Sequence, residues 1–95
     1  MAKIPKSLQP ILWSQDVGTL DLKKDKIYII HQVLRYGSLD NIIWLFRTYS
    51  KKEIESVFTN NPSPIYTSSS LNFAKKILLG INQKIDETRY LKSFT

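Results

Sequence analysis

Residues 36–53 read YGSLDNIIWLFRTYSKKE, and the two serines in this stretch decide the fold. A serine hydroxyl accepts a hydrogen bond from the free N–H groups that open a helix, so Ser38 and Ser50 each predict a helix start. Gly37 predicts the end of the helix before them, as a left-handed C′ residue. Asp40 falls in a first turn, where the helix dipole favours an anion. Ser50 and Glu53 have capping-box spacing: the serine accepts from the Glu53 backbone while that carboxylate reaches back to the serine N–H. Between the caps stand Leu39, Ile42, Ile43, Leu45, Phe46 and Tyr49. So wide an apolar face predicts the central helix of the domain.

The pattern continues on both sides. Upstream, Ile27, Ile30 and Leu34 recur at helical spacing with Val33 beside them, predicting a helix over 22–36 with Asp21 as its N-cap. Downstream, Ile54, Val57 and Phe58 are the buried stripe of a helix over 51–58. The run Asn60-Asn61-Pro62-Ser63-Pro64 stops that helix, and 60–69 is a polar loop. A last helix begins at Ser69 or Ser70 and carries Leu71, Ala74, Ile77, Leu78 and Ile81, with Gly80 interrupting it and Ile85 resuming the stripe. Residues 1–20 read as an irregular segment with a short helix, a turn at 17–19, and Trp13 as an anchor onto the core. Residues 64–67 can pair briefly at an edge, and 89–95 are expected to fray. The expectation is one all-α domain over 1–95: a tri-helical, helix-turn-helix-like core plus a C-terminal helix.

Composition bounds what such a domain can do. Ninety-five residues, 42% of them apolar, supply one hydrophobic core without help from metal or disulfide. With no cysteine there is no disulfide framework and no thiolate metal site. The start MAKIPKSLQP lacks an apolar run of signal-peptide length, and the apolar runs 27–30 and 42–46 are far too short to span a bilayer, so a cytoplasmic location is expected. Fourteen Lys and Arg stand against eight Asp and Glu, a net +6. That sign favours nucleic acid or an acidic protein surface as partner.

Catalysis needs a nucleophile, a base and an orienter, or a metal. The single histidine, His31, has no second ligand at metal spacing and reads as a boundary residue packed among helix neighbours. The three glycines stand apart at 18, 37 and 80, so no phosphate-cradling loop exists. The expectation is a protein without enzymatic activity, metal or cofactor.

Binding has two candidate surfaces. In a helix-turn-helix reading the third helix meets DNA by its first turn, which makes Lys51 and Lys52 phosphate contacts, with Arg47 one turn before and Ser56 and Thr59 along the outward face. Glu53 and Glu55 interleave opposing charge, and exposed lysines are ordinary solvated residues. The second surface is aromatic. So small a domain cannot bury all its tryptophans and tyrosines, and exposed aromatics anchor interfaces. Trp44, which lies off the apolar stripe, and Trp13 are the candidate partner contacts.

Several segments together resemble a family of short prokaryotic proteins of unknown biochemical function. They are LQPILW at 8–13, Leu20-Asp21, residues 27–34 followed by Arg35-Tyr36-Gly37, LDNIIWLFRTY at 39–49, residues 52–57, and SLNFAKKILLG at 70–80. The resemblance spans 5–80; the chain departs from it in the two lysines that follow Phe73 and Ala74. It implies an antitoxin-like neighbour of nucleotidyltransferase toxins of abortive-infection systems, whose partners would be a cognate toxin protein, promoter DNA, or both. A pure protein-interaction module with no nucleic-acid binding is the alternative. The sequence leaves the oligomeric state open.

Overall fold

A computed structural model describes residues 4–13, 15–80 and 86–92. Its elements are α1 (Lys26–Tyr36), α2 (Leu39–Thr48), α3 (Lys51–Asn60) and α4 (Ser68–Asn72), which runs on into wider π-helical turns over Phe73–Leu78. Single 3₁₀ turns stand at Lys6–Leu8, Val17–Thr19 and Glu87–Arg89. Among the described residues there is no β-strand, only one isolated parallel bridge between Tyr66 and Leu91. The all-α class follows.

The central helix is α1, where the sequence pattern pointed to α2. Helix α1 packs against α2, α3 and α4 and buries six consecutive residues, Ile29 to Leu34, all round its circumference. Its polar side chains reach outward to three other segments. Lys26 pairs with Glu53 of α3 at 3.1 Å, Gln32 Nε2 donates to the Ile11 carbonyl at 2.6 Å, His31 meets Tyr66 and Asn61, and Arg35 Nε donates to the Ile65 carbonyl at 3.0 Å. Helix α2 buries only Ile42, Leu45 and the following Tyr49, whose hydroxyl donates to the Leu22 carbonyl at 2.6 Å. Leu39 and Ile43, expected in the core, are 73% and 42% exposed.

The helix ends correct several local expectations. Helix α1 begins at Lys26, four residues later than its pattern suggested, because Asp21 caps a preceding turn. Its Oδ1 accepts from the N–H groups of Lys23 and Lys24, holding its carboxyl below the ordinary range, and Asp25 Oδ2 accepts from the Asp21 N–H. Gly37 is not left-handed; its φ of −71° is open to any residue. Glycine is needed there for space, since a Cβ would come within 2.6 Å of the Val33 carbonyl oxygen. The left-handed glycine is Gly80, with φ +62°.

Ser38 forms a full capping box with Asn41. Ser50 forms half of one: its hydroxyl accepts from the Glu53 N–H at 3.1 Å, but the Glu53 carboxylate turns to Lys26 instead of returning to the serine. Helix α4 starts at Ser68, behind a capping box made by Thr67 and Ser70.

The C-terminal segment is docked where fraying was expected. Tyr90 is buried, and its hydroxyl donates to the Phe58 carbonyl at 2.6 Å. Backbone bonds from Tyr66 N–H to the Tyr90 carbonyl (2.9 Å) and from Lys92 N–H to the Tyr66 carbonyl (3.0 Å) tie the two segments together. This is the brief edge pairing anticipated for 64–67. Ile81 and Ile85, placed on the last apolar stripe by the sequence, lie outside the described residues, as do 93–95.

Candidate functional site

The outward side of α2 carries two exposed aliphatic side chains one turn apart, Leu39 and Ile43, whereas the other exposed large apolar residues of the helices, Ile27 and Phe73, stand singly. Two stripes run along this helix. Ile42, Leu45 and Tyr49, at spacings of three and four, face α1 and are buried. Leu39, Ile43 and Phe46 repeat the same spacing about a quarter turn away. Phe46 is half-covered, whereas Leu39 and Ile43 stand in solvent. Arg47 continues the line one turn past Ile43 and is exposed. Trp44 is half-buried and packs on the core from the other side. The Ser38–Asn41 box and Asp40 hold the first turn of this helix, so the exposed leucine sits on a well-capped scaffold.

The basic turn adjoins this face along the chain. Lys51 and Lys52 are exposed on the first turn of α3, as is Ser56 further along. Thr59 is half-buried, and its hydroxyl is spent on the Glu55 carbonyl at 2.8 Å. Ser56 accepts from Asn60 Nδ2 at 3.1 Å. Of the five residues named for DNA contact, Arg47, Lys51, Lys52 and Ser56 are therefore accessible, and Thr59 is turned into its own helix. Glu53, which would have opposed phosphate here, is drawn toward α1 by Lys26. Among the described residues the ion pairs are Lys26–Glu53 and Lys75–Glu87, and neither Lys51 nor Lys52 enters one.

Trp13, expected to anchor the N-terminal segment on the core, is 58% exposed; its neighbour Leu12 is the residue that plugs the core. The indole meets the Tyr36 ring edge-on, with centroids 4.8 Å apart, and the Arg35 guanidinium lies 4.4 Å from the centre of that same ring.

The histidine is no boundary residue. His31 is 1% exposed and sits among Phe58, Tyr66 and Tyr90. Its Nε2 lies 2.6 Å from the Asn61 carbonyl, which can only accept, so Nε2 carries the proton. Nδ1 then accepts from the Tyr66 hydroxyl at 2.8 Å. Burial pushes the imidazole pKa below its ordinary value, against a smaller opposing pull from the Asn61 carbonyl. Burial pushes both the Tyr66 and Tyr90 phenols up. The cluster is a neutral, hydrogen-bonded clasp. His31 and Tyr90 satisfy carbonyls at the end of α3 that lack helical partners. No buried side-chain polar atom among the described residues lacks a partner, and no three His, Asp or Glu side chains among them gather as a metal set.

The architecture defines a small all-α domain organised on one enclosed helix, with a neighbouring helix half open to solvent. The sequence pattern of a family of unknown function (DUF6922) matches residues 8–58, more than half the chain, and the protein belongs to that family. The match takes in the Trp13 segment and all of α1 and α2, and ends at Phe58, inside α3. No curated protein and no solved structure matches the chain.

Sequence reasoning missed Leu39 and Ile43 because it merged the two stripes of α2 into one broad face. The signal was present: 42, 45 and 49 and 39, 43 and 46 are separate three-and-four series. Among the described residues no helix is long and apolar enough to cross a membrane.

Proposed function

We propose that this is a non-enzymatic binding protein that docks a protein partner along the line Leu39, Ile43 and Arg47. One observation carries the reading: two large aliphatic side chains, one helical turn apart, stand in solvent on a capped helix inside the family segment. Exposed aliphatics grouped on one face mark association surfaces, whereas scattered ones do not. The resemblance to short prokaryotic proteins suggested to sit beside abortive-infection toxins supports the partner class: a cognate toxin, with the chain acting as its antitoxin-like companion in the cytoplasm.

The test is pull-down of the tagged chain from its native host, with a toxin protein expected as the co-purifying partner. Leu39→Asp with Ile43→Asp should abolish the complex and leave the helical spectrum intact. A complex that survives the double variant rejects this face.

A second reading, contact with promoter DNA through Arg47, Lys51 and Lys52, is favoured by the Lys26–Glu53 pair, which withdraws the nearest carboxylate. Affinity for the promoter duplex would then fall steeply with salt. Lys51→Ala with Lys52→Ala would flatten the log–log slope by roughly two units, at about 0.9 per phosphate contact. Failure of the duplex to bind at low salt leaves the protein-interaction module standing alone.

A further inference from the structure

Trp13 is 58% exposed, yet the backbone on either side of it is pinned. The Gln9 carboxamide brackets it. Its Nε2 donates to the Leu12 carbonyl at 3.0 Å and to the Gln15 carbonyl at 2.9 Å, one on each side of Trp13, while its Oε1 accepts from the Val17 N–H at 2.9 Å. From α1, Gln32 grips the Ile11 carbonyl at 2.6 Å, and Leu12 is fully buried. Tyr36 then braces the indole edge-on, and its ring is in turn covered by Arg35, which is fixed by its Nε bond to the Ile65 carbonyl. Ordering a large side chain without burying it costs conformational freedom and recovers little hydrophobic free energy. That arrangement suits a surface preorganised for a flat ligand, because the ordering cost is met before binding.

The geometry points to Trp13 as a stacking platform for the bases of single-stranded nucleic acid, with Arg35 beside it for the backbone. Two observations select this occupant. The ring is aromatic, flat and presented, and base–aromatic stacking tolerates any base because every base has a π-face. The chain carries a net +6, which draws a polyanion. Paired bases offer no open face to an indole, so the platform prefers an unpaired strand. Stacking does not read the sugar, so DNA and RNA strands bind alike. The residues involved are separate from the α2 face and from Lys51 and Lys52, so this inference stands apart from the proposed function.

The test is fluorescence anisotropy with labelled oligothymidylate, oligouridylate, a matched duplex and an abasic oligonucleotide of equal charge, at low and at physiological salt. The native chain should bind both single strands within a few-fold of each other and more tightly than the duplex. Trp13→Ala should weaken single-strand binding by about tenfold or more, as loss of one stacked base requires. Trp13→Phe should recover most of it, and the abasic strand should be indifferent to either change. Trp13 emission should be quenched on binding in a Trp44→Phe background. Because Trp13 is exposed, Trp13→Ala should melt with the native chain. Absence of single-strand binding at low salt, equal affinity of Trp13→Ala, or equal loss on the abasic strand each overturn the proposal. So does loss of a protein partner by Trp13→Ala in a chain that ignores oligonucleotides, which would identify the indole as a protein contact.

Discussion

Helices α1 and α2 are joined by two residues, are of nearly equal length and are similarly apolar, yet they have opposite fates. Helix α1 is enclosed from Ile29 to Leu34, where even its histidine and glutamine are buried and hydrogen-bonded; only Ile27 in its first turn, expected on the buried stripe, is 45% exposed among its aliphatic residues. Helix α2 lends one stripe to the core and leaves a second in solvent. The difference comes from neighbours. The N-terminal segment, α3 and the Tyr66 loop all converge on α1, while α2 lies at the edge with α1 on one side. Apolar content measures what a helix can bury, and the number of elements that reach it sets how much it does bury.

The sharpest way to break this comparison is a matched pair of truncations. Ile30→Ala in α1 should cost about 3 kcal/mol or more in urea unfolding, because it removes a fully buried side chain and leaves a cavity. Leu39→Ala in α2 should stay within about 0.5 kcal/mol of the native chain. Equal costs would mean that α2 is as enclosed as α1.

The next effect tests the clasp on α1. His31→Ala should destabilise by about 2–3 kcal/mol, since it removes a fully buried ring and leaves the Tyr66 hydroxyl buried without a partner. The pH dependence has a definite sign. The folded imidazole has a pKa below its unfolded value near 6.5, so the unfolded chain binds the extra proton first. The His31 contribution should be complete above about pH 6.5 and drain away as pH falls through the folded pKa. A melting curve series from neutral to mildly acid pH checks this, and the variant should show a shallower acid slope. A slope unchanged by the substitution would show that the carboxylates alone set it.

Smaller effects belong to the turns that separate the helices. Gly37→Val should lose about 1 kcal/mol or more, through collision with the Val33 carbonyl and not through backbone strain. Ser50→Ala should lose about 1 kcal/mol with its cap. Glu53→Ala should lose only a few tenths, because its partner Lys26 is a partly exposed ion pair and the return bond to Ser50 is not made. A Glu53 cost as large as that of Ser50 would restore the full capping box.

Local chemistry determined much of this protein from sequence. Ser38 and Ser50 open helices where a hydroxyl beside free N–H groups requires it, Pro62 ends α3, and the three-and-four spacing of Ile30, Val33, Leu34, Ile54, Val57 and Phe58 assigns them to the core. Such signals act between residues a few positions apart and need no fold to be read. The exposed lysines of α3 were legible for the same reason. Everything that depended on distant neighbours was decided by tertiary structure: which helix is central, whether Leu39 and Ile43 face inward, that Glu53 chooses Lys26 over its own cap, that Gln9 and Gln32 hold Trp13 outward, and that His31 closes on Tyr66 and Asn61 from 35 and 30 residues away. An apolar stripe or a polar side chain announces a need for a partner. Only the packed chain supplies the partner, because burial and hydrogen bonding are set by what arrives from elsewhere in the sequence.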